Sequence, residues 1–218
     1  MVSNRKIRVV FVTSSDFKIK ENQVFMSECL LNDGTPVTDL FDFDIRQVPI
    51  KEVLEVDINA MVMAEVTKAY SEIRVPCIVE HAGLIFEGHD SYPGGLTKPM
   101  WNALRDRFIT ETGSAGRKVT ARAVVAYCDG KAVRTFVGET PGHLANAPRG
   151  SREFYWDTVF IPSEAKGAAK NKTYAEIVDD PTLGLLYKMK EFSQSTRAMV
   201  KFLEYRRKEE PTLWPWKP

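Results

Sequence analysis

The sequence predicts an α/β fold in a single domain, and three observations support this prediction. Hydrophobic residues make up 44% of the 218-residue chain, which is enough for one large core. Apolar runs typical of strands alternate along the chain with segments of helical spacing. No internal repeat or linker separates them. We therefore predict one domain over residues 1–210, followed by a Pro/Trp-rich tail over residues 211–218.

The first half of the chain predicts two strands and two helices in alternation. The run Ile7–Val12 is apolar and β-branched, which indicates a buried strand. Three small hydroxyl residues at 13–15, followed by Asp16, can cap a helix that begins near Phe17. Residues 40–48 alternate as a second strand, and residues 58–70 have helical spacing.

The second half predicts a β-hairpin between two helical segments. Residues 100–108 place apolar side chains on one helical face. Strands at 118–127 and 132–139 are joined by an Asp-Gly pair at 129–130, which is a strong hairpin signal. Residues 183–207 form the longest helical pattern, although polar side chains interrupt it.

The most informative stretch is residues 77–98. It opens with a short apolar run at 77–79, and the predicted strand ends at Glu80 and His81. A Gly-rich turn then leads to Lys98. Because α/β proteins bind ligands where ionisable groups and Gly-rich loops follow a strand, we expect the ligand site here.

Charge and composition exclude several classes of partner. The net charge of +1 gives no support to binding of nucleic acid or anionic membranes. No apolar run approaches the ~20 residues of a membrane span. The three cysteines are widely spaced and indicate reduced thiols. We therefore expect a cytoplasmic protein with neither a nucleic-acid nor a membrane partner.

Three further patterns fit a nucleotide site, and each has an ordinary structural alternative. The turn at 13–16, followed by Lys18, suits a phosphate at a helix N-terminus, or is a plain helix cap with a surface lysine. Glu52 could hold a metal or be a solvated acid near a helix N-terminus. The aromatic segment 154–157 could stack on a nucleobase or belong to the core.

Five motifs follow one another along the chain: VExxGL at 79–84, PGGLTK at 93–98, PRG at 148–150, FxWDxxF at 154–160 and KTYAE at 172–176. Together they resemble the inosine triphosphate pyrophosphatase family, which cleaves non-canonical purine nucleoside triphosphates. The resemblance covers roughly residues 7–203. It implies a long twisted mixed β-sheet flanked by helices in two lobes, a central nucleotide cleft and a homodimer.

The resemblance also implies three sets of nucleotide-binding residues. Those facing the phosphates would be Thr13, Ser15, Lys18 and Lys98. Those at the purine would be Phe154, which would stack on the ring, Trp156 and Asp157. Those near the last helix would be Lys190, Ser195 and Arg197. Ser195 and Arg197 match the ends of the family's Ser-His-Arg triplet, whereas Lys190 lies next to Glu191, which stands at the position of a family lysine. Arg197 could meet the keto oxygen of the base.

The chain departs from the family at positions that serve hydrolysis. His81 stands where the family has an aspartate that binds metal and activates water, and imidazole supplies no hard oxygen ligand for Mg²⁺. Thr196 replaces the triplet histidine and cannot titrate near neutral pH. Glu52 and Glu80 remain as candidate metal ligands. His81 could be an imidazolium that replaces part of the ion's charge, or a neutral side chain bonded to Glu80.

These departures lead to two hypotheses. The first is a catalytically impaired sensor that binds dITP, ITP or XTP and acts with a partner effector, as this fold does in some bacterial antiviral systems. Trp214 and Trp216 of the tail would then dock on another chain or pack on the protein itself. The second is an active pyrophosphatase that uses Mg²⁺ and releases a nucleoside monophosphate and pyrophosphate.

Overall fold

The computed structural model describes residues 6–50 and 52–209, apart from the side chain of Phe154. The predicted tail, including Trp214 and Trp216, lies outside the described residues. In the ranges described, no helix is long and apolar enough to cross a bilayer.

Six strands of the described chain form one mixed sheet. They are β1 (Ile7–Val12), β2 (Phe41–Arg46), β3 (Cys77–Phe86), β4 (Lys118–Cys128), β5 (Val133–Leu144) and β6 (Phe160–Pro162). Their order across the sheet is β2-β1-β3-β4-β5-β6. Strand β1 pairs in parallel with β2 and β3, and the pairs from β3 to β6 are antiparallel. The predicted α/β class with a mixed sheet is confirmed.

Helices cover both faces of this sheet. They are α1 (Asp16–Glu28), α2 (Val37–Leu40), α3 (Ile58–Ile73), α4 (Thr97–Leu104), α5 (Phe108–Thr112), α6 (Tyr174–Asp179), α7 (Gly184–Glu191) and α8 (Gln194–Arg206). The apolar stripe of α3 packs on one face of β3 and β4, where Val66 joins a core with Val79. Helices α1 and α8 pack on the opposite face, where Phe25 and Phe202 join Ile78. A third core around Trp101 and Tyr174 forms the far lobe.

Strand β3 is longer than the sequence predicted. It continues from Cys77 to Phe86, so Glu80 and His81 lie within the strand and not at its end. Gly83 permits this course, because a Cβ there would lie 2.2 Å from the carbonyl oxygen of Gly94. The Gly-rich turn therefore packs directly on the strand.

Two predicted helices are each divided in the structure. The pattern at 183–207 contains α7 and α8, and α8 begins after Ser193, whose Oγ accepts a hydrogen bond from the Thr196 amide at 3.2 Å. The pattern at 100–108 contains parts of α4 and α5, which are separated where Arg105 adopts a φ of 51°. The Ser193 cap starts a new helix, and the positive φ of Arg105 ends α4, so neither helix extends over the whole apolar pattern.

Candidate functional site

A cleft of about 1080 Å³, including its open mouth, lies beyond the carboxyl end of β1 and beside the middle of β3. This is where parallel strands commonly bring ligand-binding loops together. Most of the residues predicted to bind nucleotide line it: Thr13, Ser15, Lys18, Lys98, Trp156, Asp157 and Ser195. His81, Glu52 and Glu80 line it as well.

The turn between β1 and α1 forms one wall of the cleft. Ser15 caps α1, and its Oγ accepts a hydrogen bond from the Lys18 amide at 3.4 Å. The Ser15 amide in turn donates to Thr13 Oγ1 at 3.2 Å. The 13-residue helix thus presents its N-terminus and the Lys18 ammonium to the cleft, and both attract anions.

Glu80 joins three elements at the floor of the cleft. Its Oε2 pairs with Lys18 Nζ at 3.0 Å, and Lys18 Nζ also donates to the Glu80 carbonyl oxygen. Its Oε1 accepts a hydrogen bond from Ser195 Oγ at 3.0 Å. Both carboxylate oxygens of this predicted metal ligand therefore already have protein partners, from α1 and α8.

His81 lies on the opposite face of β3, because side chains alternate along a strand and Val79 faces α3. It is 5% exposed. Burial, with smaller contributions from Lys18 and Lys98, lowers the pKa of His81 to about 3. The imidazole is therefore neutral at physiological pH, which argues against the imidazolium hypothesis. In the ranges described, no hydrogen bond joins His81 to Glu80, so the second hypothesis for this side chain is not met either.

Two further carboxylates line the cleft near Lys98. Glu52 Oε1 pairs with Lys98 Nζ at 3.0 Å on the exposed rim. Glu65, on α3, is only 7% exposed, and burial raises its pKa to about 7. Sequence reasoning missed Glu65. The available signal was a carboxylate within the apolar stripe of α3, beside Val62 and Val66.

A buried ion cluster also lines the cleft. Lys188 Nζ lies 2.5 Å from Asp157 Oδ2 and 3.2 Å from Glu21 Oε1. Burial lowers the pKa of Lys188, but attraction by the two carboxylates outweighs this, and the net pKa lies above its ordinary value. The same ammonium is 4.9 Å from the centre of the Tyr174 ring.

Lys188, rather than the predicted Lys190, is the lysine of α7 that reaches the cleft. Lys190 is exposed and does not line it. The two residues lie about 200° apart around the helix, so only one of them can face the cleft. The side chain of Phe154, predicted to stack on the purine, lies outside the described part of the structure.

The start of α8 supplies Gln194 and Ser195 to the cleft, but not Arg197. The Arg197 guanidinium instead pairs with Glu164 Oε2 at 2.6 Å and donates to the Glu139 carbonyl oxygen at 2.7 Å. Arg197, predicted to meet the keto oxygen of the base, therefore does not line the cleft in this arrangement. Thr196 Oγ1 is buried and has no hydrogen-bond partner among the described residues.

The PRG and KTYAE motifs are structural. Thr173 caps α6 through a capping box with Glu176, and Thr173 Oγ1 donates to the Arg149 carbonyl oxygen at 3.1 Å. Gly150 has a φ of 82°, and a Cβ there would lie 2.7 Å from Ala175. These contacts tie the segment that carries Trp156 and Asp157 to α6.

The donor set of the cleft fits Mg²⁺ only with help from a ligand. In the described residues, no three His, Cys, Asp or Glu side chains are grouped to hold a metal by themselves. Mg²⁺ usually binds one or two protein carboxylates together with substrate phosphates and water. The carboxylates that line the cleft near Lys98 and Lys18 suit that mode.

Comparisons with known proteins agree with this fold. The model of the Ham1 family matches residues 9–205. Inosine triphosphate pyrophosphatase 1 of Trypanosoma cruzi is 30% identical over 181 residues, covering 82% of this chain and 84% of that protein. A dITP/XTP pyrophosphatase of Methanopyrus kandleri is 34% identical over 134 residues, covering 60% and 64%. The structure of the Staphylococcus aureus Ham1 protein matches with a TM-score of 0.66 and 14% identity, covering 94% of this chain and 100% of that chain. At this identity the match shows a shared fold.

Proposed function

The chain belongs to the Ham1 family, and on that premise we propose that it binds non-canonical purine nucleoside triphosphates such as dITP, ITP and XTP, and cleaves them to a monophosphate and pyrophosphate. The observation that carries this proposal is the division of charge in one cleft. Lys18, Lys98 and the N-terminus of α1 supply positive charge to it, and the buried Asp157–Lys188 pair lines the same cleft. The names of the T. cruzi and M. kandleri relatives support the same activity.

The Asp157–Lys188 pair suits the recognition of a keto purine. A lysine ammonium donates hydrogen bonds and accepts none, so it can meet the O6 acceptor of hypoxanthine or xanthine. Adenine presents an amino donor at that position, so two donors would face each other and no hydrogen bond would form between them. Such a mismatch costs about 1–3 kcal/mol of binding free energy for each contact. Mismatches at two contacts would therefore weaken ATP binding more than a mismatch at one.

The triphosphate would exchange partners with the ion pairs on the floor and rim of the cleft. Lys18 and Lys98 now pair with Glu80 and Glu52, and phosphate oxygens offer these ammonium groups a second set of acceptors. The amides at the start of α1 add donors for a phosphate. These contacts neutralise charge that would otherwise resist attack on the α-phosphate.

In the proposed reaction, a water oxygen attacks the α-phosphorus and the bond to the oxygen that bridges the α- and β-phosphates breaks. Pyrophosphate leaves with the bonding electrons. The proton of the water passes to a carboxylate of the cleft, and Glu80, which Lys18 and Ser195 hold in place, is the candidate. Mg²⁺ bound with the triphosphate would neutralise phosphate charge and lower the pKa of a bound water.

A second candidate function is a sensor that binds the same nucleotides without cleaving them and acts with an effector protein, as in antiviral defence. The observation that favours it is the neutral His81, where the resemblance implies a metal-binding aspartate. Thr196, where the resemblance implies a histidine, points the same way. A homodimer and a cytoplasmic location remain part of both proposals.

Calorimetric titration and pyrophosphate release test the proposal together. We expect the protein to bind dITP at least tenfold more tightly than dATP, and to release pyrophosphate from dITP with Mg²⁺. Asp157→Asn should reduce this selectivity, whereas Asp39→Asn, at an exposed site outside the cleft, should not. Equal affinity for dITP and dATP would refute the base assignment. Tight dITP binding without pyrophosphate release would favour the sensor.

A further inference from the structure

Glu65 is a buried carboxylate on the side of the sheet to which His81 points. Helix α3 packs on this face through Val62 and Val66, and Glu65 interrupts the same apolar stripe. Its side chain lines the cleft although the residue is 7% exposed. Lys18 and Lys98 are near enough to act on the charge of both Glu65 and His81.

Among the cleft-lining carboxylates of the described chain, Glu65 is the one without a cation partner within salt-bridge distance. The others each have a cation partner: Glu80 with Lys18, Glu52 with Lys98, and both Glu21 and Asp157 with Lys188. Glu65 Oε1, in contrast, is buried and accepts no hydrogen bond from any described residue. Burying an unpaired carboxylate is costly, so this side chain requires a proton or a cation.

We propose that Glu65 binds the divalent cation that accompanies the triphosphate, and so supplies the carboxylate that position 81 lacks. This inference rests on the proposed function. The ligand class is a hard cation, Mg²⁺ or Mn²⁺, because carboxylate and phosphate oxygens are the donors at hand. The neutral imidazole of His81 then belongs to the wall of the site and is not a ligand.

The arrangement explains why no protein-only metal cage is present in the described residues. One carboxylate on α3, with phosphate oxygens and water, completes the shell that Mg²⁺ prefers. Glu80 remains free to hold Lys18 and Ser195 and to accept a proton. Attraction by the cation would also stabilise the ionised form of Glu65 and so offset the burial that raises its pKa.

Mn²⁺ binding, followed by the electron paramagnetic resonance signal of free Mn²⁺, tests this proposal without relying on turnover. The protein is first loaded with α,β-methylene-dITP in EDTA, and nucleotide binding is measured by calorimetry. After EDTA is removed, Mn²⁺ is titrated against the loaded protein, with the nucleotide alone as the reference. We expect Glu65→Gln to weaken Mn²⁺ binding to the complex by about tenfold or more. Glu72→Gln, on the exposed side of α3, should leave the affinity unchanged.

The outcomes separate this inference from the proposed function. If the unmodified protein does not bind the nucleotide, both the proposed function and the Glu65 assignment are overturned. Normal nucleotide binding with equal Mn²⁺ affinities for the unmodified protein and Glu65→Gln would overturn the Glu65 assignment alone. If Glu65→Gln does not fold, Glu65→Met, which suits the apolar stripe of α3, also removes the carboxylate, and an unchanged Mn²⁺ affinity in that variant would equally refute the assignment.

Discussion

Replacing His81 with glutamine should change how stability depends on pH. The folded protein holds the pKa of His81 at about 3, mainly through burial, whereas an unfolded histidine titrates near 6.5. Between these values the unfolded chain binds a proton that the folded chain does not. The contribution of the neutral His81 to the free energy of unfolding is therefore fully present above about pH 6.5 and is lost as the pH falls toward 3.

The size of the effect follows from the same two pKa values. Protonation of His81 in the unfolded chain lowers the free energy of unfolding by about 2 kcal/mol between pH 7 and pH 5. His81→Gln lacks this contribution, so its stability should fall by about 2 kcal/mol less than that of the unmodified protein over the same interval. Other titrating groups are present in both proteins and largely cancel in the difference.

Urea unfolding, followed by circular dichroism at pH 7, 6 and 5 in EDTA, measures this difference. His89→Gln is the matched control, because His89 is exposed and should behave like the unmodified protein. Parallel pH dependences for the unmodified protein and His81→Gln would refute the reasoning. His81 would then be protonated in the folded protein, and the cleft would contain an imidazolium at position 81.

Three further substitutions test the packing around the cleft. Lys188→Met should cost about 3–5 kcal/mol in urea unfolding, because two buried carboxylates lose their cation, whereas Lys190→Met should cost less than about 0.5 kcal/mol. Tyr155, at the mouth of the cleft, is 38% exposed and has a φ of 50°. Tyr155→Gly should raise the free energy of unfolding by about 1 kcal/mol and weaken dITP binding about fivefold in calorimetry, and unchanged values for both would contradict a strained binding residue. Gly83→Ala should lower the melting temperature by at least about 5 °C, because its Cβ would meet the Gly94 carbonyl; an unchanged temperature would show that this contact can relax.

Much of the fold could be predicted because the spacing of apolar residues differs between strands and helices and can be read from the sequence. The run Ile7–Val12 and the helix beginning at Ile58 appear where the apolar pattern places them. The predicted family is confirmed by the match of the Ham1 family model to residues 9–205. Two of the predicted motifs contact each other, because Thr173 Oγ1 donates a hydrogen bond to the Arg149 carbonyl oxygen. Strand β3 was predicted too short, because Glu80 and His81 are polar and yet buried.

Long-range contacts explain why the residues that line the cleft differ from those predicted. Lys188 and Lys190 are equivalent in composition, and only the packing of α7 against α1 decides which lysine is buried. Arg197 has a partner, Glu164, from a distant loop, which no local pattern indicates. Glu65 could have been noticed as a charge in an apolar stripe, but its missing partner is visible only once the cleft is assembled.

Phosphorus NMR of the reaction tests the central claim most directly. The protein is incubated with dITP and Mg²⁺, and the spectrum is followed until the triphosphate is consumed or shown to persist. We expect the three triphosphate signals to be replaced by those of dIMP and pyrophosphate, while dATP under the same conditions stays intact. Persistent dITP, with signals broadened by the bound state, would contradict hydrolysis and leave nucleotide binding alone as the function of the cleft.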